Sequence, residues 1–111
     1  NAGGYDSAVT HLTEAKANAL ALTLGHPKSA LHPLLLSECN LKLGRAEEGR
    51  GELSAAGDHY RQARQAAESV LSKESKHVAG RLSLVESRLE EYRVAVLLGR
   101  DRESAAHLKA G

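Results

Sequence analysis

Three histidines stand at one constant interval, as His11, His59 and His107. Imidazole is the commonest metal ligand and a general base near neutral pH, so three in phase raise the question of a metal centre. Their spacing argues against one. Equivalent positions on successive packed helices lie roughly 10 Å apart or more, while zinc needs its ligands about 2 Å from one centre. A single row of this kind cannot close a site. His26 and His32 each precede a proline, which reads as turn and cap chemistry rather than ligation. Cys39 shares a helix face with Leu36 and Leu43 and reads as a buried, inert thiol.

Other chemistry is equally thin. The stretch GRAEEGRG, Gly44 to Gly51, clusters glycines but lacks the Lys-Ser/Thr ending of a phosphate loop. Neither Gly-x-Ser-x-Gly nor His-Glu-x-x-His occurs. Glu47-Glu48 and Glu90-Glu91 are adjacent in sequence, so on a helix they diverge by about 100° and make poor acid–base pairs. Three tyrosines, each in a helical stripe, do not form base-stacking platforms. No catalytic residue, cofactor site or metal site is expected.

The elements that carry these residues follow from composition. Leu and Ala are by far the most frequent types, while Val and Thr are few and Ile, Phe, Trp and Met are absent. Strands favour the scarce types and helices the abundant ones, so the chain should be all-α. Its 111 residues suit one domain with a modest core. Fifteen basic and fourteen acidic residues leave a net charge of +1, with no run of like charge longer than two. That argues against nucleic-acid binding. The longest apolar run, Val94 to Leu98, is far short of the roughly 20 residues of a membrane span. One cysteine excludes an internal disulfide and fits a reducing, cytoplasmic setting. The first residue is Asn1 and no Met occurs, which points to a segment of a longer protein or a processed one.

The histidine interval belongs to a larger repeat. Gly3, Ala8, Leu12 and Ala15 recur at the same interval as Gly51, Ala56, Tyr60 and Ala63, and again as Gly99, Ser104, Leu108 and Gly111. Each set is a glycine followed by a small–bulky–small stripe. Tyr5, Ala8, Leu12, Ala15, Ala19 and Leu22 lie on one helix face, as do Leu53, Ala56, Tyr60, Ala63, Ala67 and Val70. Such a stripe lets a second helix approach closely, and the glycine before it permits a tight turn. Between these helices lie two more. One spans about Ser29 to Glu48, with Leu36, Cys39 and Leu43 on one side and Leu34 and Leu41 on the other. Two opposed apolar faces mark a sandwiched helix. The other spans about Lys76 to Leu98, with Val78, Leu82, Val85, Leu89, Tyr92 and Val96 as its stripe. Turns are expected near residues 24–29, 49–52, 72–76 and 99–101, giving about five helices in antiparallel hairpins with repeat pieces near 1–26, 27–74 and 75–111.

The half-repeats GELSAAGDHYRQAR, GGYDSAVTHLTEAK and GRDRESAAHLKAG resemble the turn and second helix of a tetratricopeptide repeat. The interval from Gly3 to Gly51 exceeds the usual period of about 34. The longer repeats of the kinesin-light-chain type are similar, as is the stretch LGHPKSALHPLLLSECNLKLG. The resemblance implies a right-handed solenoid whose first helices line a groove that binds a peptide or helix of another protein.

Within that frame Glu38, Lys42 and Arg45 form one polar edge of the Ser29–Glu48 helix, and Asn40 and Glu47 another. The repeat shift carries the first edge onto Glu86, Glu90 and Arg93. Stacked side by side, the two strips would make a polar floor with arginines at one end, suited to an acidic segment. The expected role is a non-catalytic interaction scaffold. A structural, self-associating subunit and the regulatory part of an enzyme lying outside this segment are the alternatives.

Overall fold

The computed structural model describes the backbone of residues 2–110 and the side chains of residues 4–100. Four helices follow one another: α1 (Ala2–Gly25), α2 (Leu31–Gly49), α3 (Leu53–Lys73) and α4 (Val78–Ala110). No strand occurs among the described residues. Each helix packs on the next, and α2 also touches α4. Residue pairs fix the directions. Ser37 meets Ala63 and Glu48 meets Tyr60, so α2 and α3 are antiparallel. Ser37 meets Ser83 and Arg45 meets Glu86, so α2 and α4 run parallel.

The turns have local causes. α2 opens without a side-chain cap, and Pro33 sits in its first turn, where a missing N–H costs nothing because no carbonyl waits for it. The turn after α2 holds Gly51 at φ 81°. The Gly51 N–H donates to the Glu48 carbonyl at 2.9 Å and the Glu52 N–H to the Glu47 carbonyl at 2.8 Å. That pair of bonds satisfies the last carbonyls of the helix and requires a left-handed residue, which glycine adopts without a Cβ penalty. At the end of α1 the His26 ring nitrogen donates to the Leu22 carbonyl at 3.0 Å, capping that terminus.

The core lies where α3 crosses between α2 and α4. Leu41, Ala56, Tyr60, Ala63 and Val94 form its main cluster, with Leu98 against it. Ala30, Leu34 and Val70 form a second. Tyr60 lies flat over Gly44, where any Cβ would run into its ring. The small–bulky–small stripe of α3 is therefore the surface that lets α2 come close, as its spacing predicts.

Three expectations are corrected. The turn near residues 99–101 does not form, so the described residues make four helices rather than five. α4 runs through Gly99, which has no positive φ and open space around it. A glycine inside a helix costs only about 1 kcal/mol, and helix formers flank this one. The third copy of the stripe, with Ser104, His107, Leu108 and Gly111, lies outside the residues whose side chains are described. Second, the Asn40–Glu47 edge is not an edge. Both residues are buried. The Asn40 amide donates to the Leu36 carbonyl at 3.1 Å, and Glu47 holds Arg50 at 2.7 Å. Third, the apolar row of α4 does not face the core. α4 packs through Gly80, Ser83, Ser87 and Val94. Its row Val78, Leu82, Val85, Leu89 and Tyr92 points outward.

Candidate functional surface

Serines close the contact between α2, α3 and α4. The Ser37 hydroxyl donates to the Ala63 carbonyl at 2.8 Å and meets the Ser83 hydroxyl at 2.6 Å. Ser87 donates to the Ser83 carbonyl at 2.7 Å. All three serines are buried and satisfied, so this side of α4 can be polar in composition and still be core. A close approach through Gly80, which lies against Val70, completes it. The apolar row is left on the far side of the helix.

Beside this contact the two polar strips do meet. Glu38 and Leu41 of α2 and Ala79, Leu82, Ser83 and Glu86 of α4 line a cleft of about 190 Å³. Arg45 reaches Glu86 at 3.5 Å, with both side chains about half exposed. Arg93 donates to Glu48 and, at 2.7 Å, to Glu90. Lys42 is exposed and makes no ion pair among the described residues. The expected row of open arginines is therefore not what the structure places there: Arg45 and Arg93 are each engaged by carboxylates of the chain itself.

The strongest electrostatics centre on a residue to which sequence spacing assigns no role. Glu48 accepts the Tyr60 hydroxyl at 2.5 Å as well as Arg93. Burial alone would raise its pKa, but the hydrogen bonds from Arg93 and Tyr60 and the charges of Arg93 and Arg45 outweigh that and hold it below the ordinary carboxylate value. Burial and the same carboxylate push the Tyr60 phenol upward, and Glu48 and then Glu90 raise Arg93. This triad ties the C-terminal end of α2 to α3 and α4. The signal for it in the sequence was weak, because Glu48 falls at a helix end beside another glutamate. On the opposite side His59 is held below its usual value by burial and by Lys16, and it lies 3.4 Å from the Asn40 side-chain oxygen.

The histidines are not gathered. His11 is exposed on α1, His59 is half-buried on α3, and His107 is not among the described side chains. The rings of His26 and His32 lie 4.9 Å apart at the α1–α2 turn. Among the described residues no group of three or more His, Cys, Asp or Glu is placed to hold a metal ion, and no helix is long and apolar enough to cross a membrane. Burial pushes the half-buried Cys39 thiol upward, away from the thiolate that reactivity requires. Two further clefts, of about 280 and 270 Å³, fall, like the first, below the roughly 300–1,000 Å³ of small-molecule sites.

What remains is the outer face of α4. Val78, Leu82, Val85, Leu89 and Tyr92 are between 55% and 72% exposed and form one continuous ridge. Arg81 and Arg88 flank it on one side, and neither is in an ion pair among the described residues. Leu82 also lines the α2–α4 cleft, so ridge and cleft form one surface. Compared with protein-family models, with curated proteins and with solved structures, the chain matches none.

Proposed function

We propose that this chain is a non-catalytic interaction scaffold of tetratricopeptide type, a stack of helical hairpins that holds another polypeptide. The observation that carries the proposal is the α4 ridge. Five large apolar side chains in helical register, each more than half exposed, form a patch that a protein covers with a partner. A helix is the occupant that such a row fits, through anchors spaced by three and four residues. The adjoining strip of Glu38, Lys42, Arg45, Glu86, Glu90 and Arg93 sets the polar rim. Lys42 is its open cation, and a bound acidic segment would have to compete with Glu86 and Glu48 for the two arginines. Tyr60 and Arg93, whose ionisation is shifted, both hold Glu48 rather than line a cleft, which supports a role without catalysis. The lone, half-buried thiol suits the cytoplasm.

The test is a photocrosslinking side chain at Tyr92, with Glu68 on exposed α3 surface as control. The protein is irradiated in extract of the cells that make it. Adducts with polypeptide at position 92 and none at 68 are expected. Equal yields at both positions would remove the ridge as a binding surface.

A further inference from the structure

The face that α4 leaves open is the face that α2 covers with α3. Under the repeat shift, Ala30, Leu34, Ser37, Leu41 and Gly44 become Val78, Leu82, Val85, Leu89 and Tyr92. The first set packs on α3: Leu41 in the Tyr60 cluster, Leu34 against Val70, Ser37 on the Ala63 carbonyl and Gly44 under Tyr60. The matching α3 surface, Ala56, Tyr60, Ala63 and Val70, is fully buried. Its counterparts one repeat earlier are Ala8, Leu12, Ala15 and Leu22 of α1. Ala15 and Leu22 are exposed, and Ala8 and Leu12 are half-buried. The described residues thus carry two open faces, one on α1 and one on α4, that correspond to the two halves of a contact made inside.

Resting on the scaffold reading, we propose that the occupant of the α4 ridge is α1 of a second copy of this chain, seated as α3 is seated on α2. The exchanged residues suit the contact. Leu89 would enter the position of Leu41, among Ala8, Leu12 and Ala15 of the second copy. Leu82 would meet Leu22 of the second copy, as Leu34 meets Val70. The hydrogen bond from Ser37 becomes an apolar contact between Val85 and Ala15 of the second copy. The Glu48–Tyr60 bond becomes a contact of Val96 with Leu12 of the second copy. At the lock between Gly44 and Tyr60 the large ring moves to the covered helix, as Tyr92, and the covering residue shrinks to leucine. Two α4 ridges facing each other fit worse. With the two-fold axis across the helices they run antiparallel, and the Arg81–Arg88 flank of one lies against the same flank of the other, with like charges opposed. A contact between α4 and α1 is heterologous, so each copy keeps one free end and the assembly grows.

The measurement is the mass of the purified chain in solution, by light scattering or sedimentation velocity, from micromolar to millimolar. Wild type should pass beyond two copies as concentration rises. Leu89→Glu and Ala15→Glu should each be monomeric, with helical signal unchanged, because both positions are open in the single chain. Their equal mixture should yield dimers and nothing larger, since one variant retains an intact α1 face and the other an intact α4 face. A wild-type chain that stays monomeric throughout, or a mixture that stays monomeric, overturns the proposal. So does a dimer that Ala15→Glu leaves intact. Adducts from Tyr92 in extract together with a monomeric purified chain would overturn the second copy and leave the scaffold standing. Absence of both would remove the two together.

Discussion

The apolar rows of α2 and α4 stand at one constant interval in the sequence, yet one helix is enclosed and the other is half-open. α2 has α1 on one side and α3 on the other, with α4 beside it. Leu34, Leu41 and Leu43 on its faces are all buried. α4 has α3 and the edge of α2 and, among the described residues, nothing opposite them. The apolar row is if anything stronger on α4, where Val85 and Tyr92 stand for Ser37 and Gly44. Burial of a side chain is therefore set by whether a neighbour exists, not by the strength of the pattern on its own helix. The face with the more apolar residues is the one left exposed.

Matched substitutions can break this comparison. Leu41→Ala should cost about 2–5 kcal/mol in denaturant titration, since it empties a place in the main cluster. Leu89→Ala, its counterpart, should stay within about 0.5 kcal/mol at a concentration where the chain is monomeric. Equal losses would mean that α4 is covered on both sides in the single chain. The next pair probes close approach. Gly44→Ala places a methyl against the Tyr60 ring and should cost about 1–3 kcal/mol. Tyr92→Ala at the equivalent position should change stability by no more than about 0.5 kcal/mol. A neutral Gly44→Ala would show that Tyr60 does not rest on that helix.

Acid should loosen the enclosed side first. The folded state holds His59 below its ordinary value, so the unfolded chain takes up that proton first. The stabilisation is complete above pH about 6.5 and declines as pH falls toward the folded value. Glu48 is also depressed. Its contribution is full above the ordinary glutamate value near pH 4.3 and fades as pH drops through the folded one. Thermal melts of His59→Gln should lack the upper decline and those of Glu48→Gln the lower. An unchanged profile in either variant would separate that residue from the effect. The smallest effect should come from Arg45→Ala, which removes the pair with Glu86. Both side chains are about half exposed, so a change of at most about 1 kcal/mol is expected. A larger loss would make the α2–α4 strip a structural joint rather than a rim.

Much of the hairpin order was legible, and particular residues show why. The 3-4 spacing of Tyr60, Ala63, Ala67 and Val70 marks a helix face, and the structure buries all four. Gly51 marks a turn, and its φ of 81° makes one. Gly99 carries the same sequence sign and forms no turn: its φ is not positive and α4 runs through it. The polar strip was legible as neighbours on two helices, but Glu48 was not. Its role comes from Tyr60 on the next helix and Arg93 on the one after that. No spacing rule along one helix connects them.

The sequence by itself determined that the chain is helical, where three of its turns fall, and which rows of each helix are apolar. Those follow from backbone propensity and periodicity, which act over short stretches of chain. Only the tertiary structure decided which apolar row is core and which is surface. On α4 it buried Ser83 and Ser87, whose hydroxyls find carbonyl and hydroxyl partners inside. It left Val78, Leu82, Val85, Leu89 and Tyr92 outside. The reason is that burial needs a second surface, and the partner of a face is a property of the stack rather than of the helix that bears it.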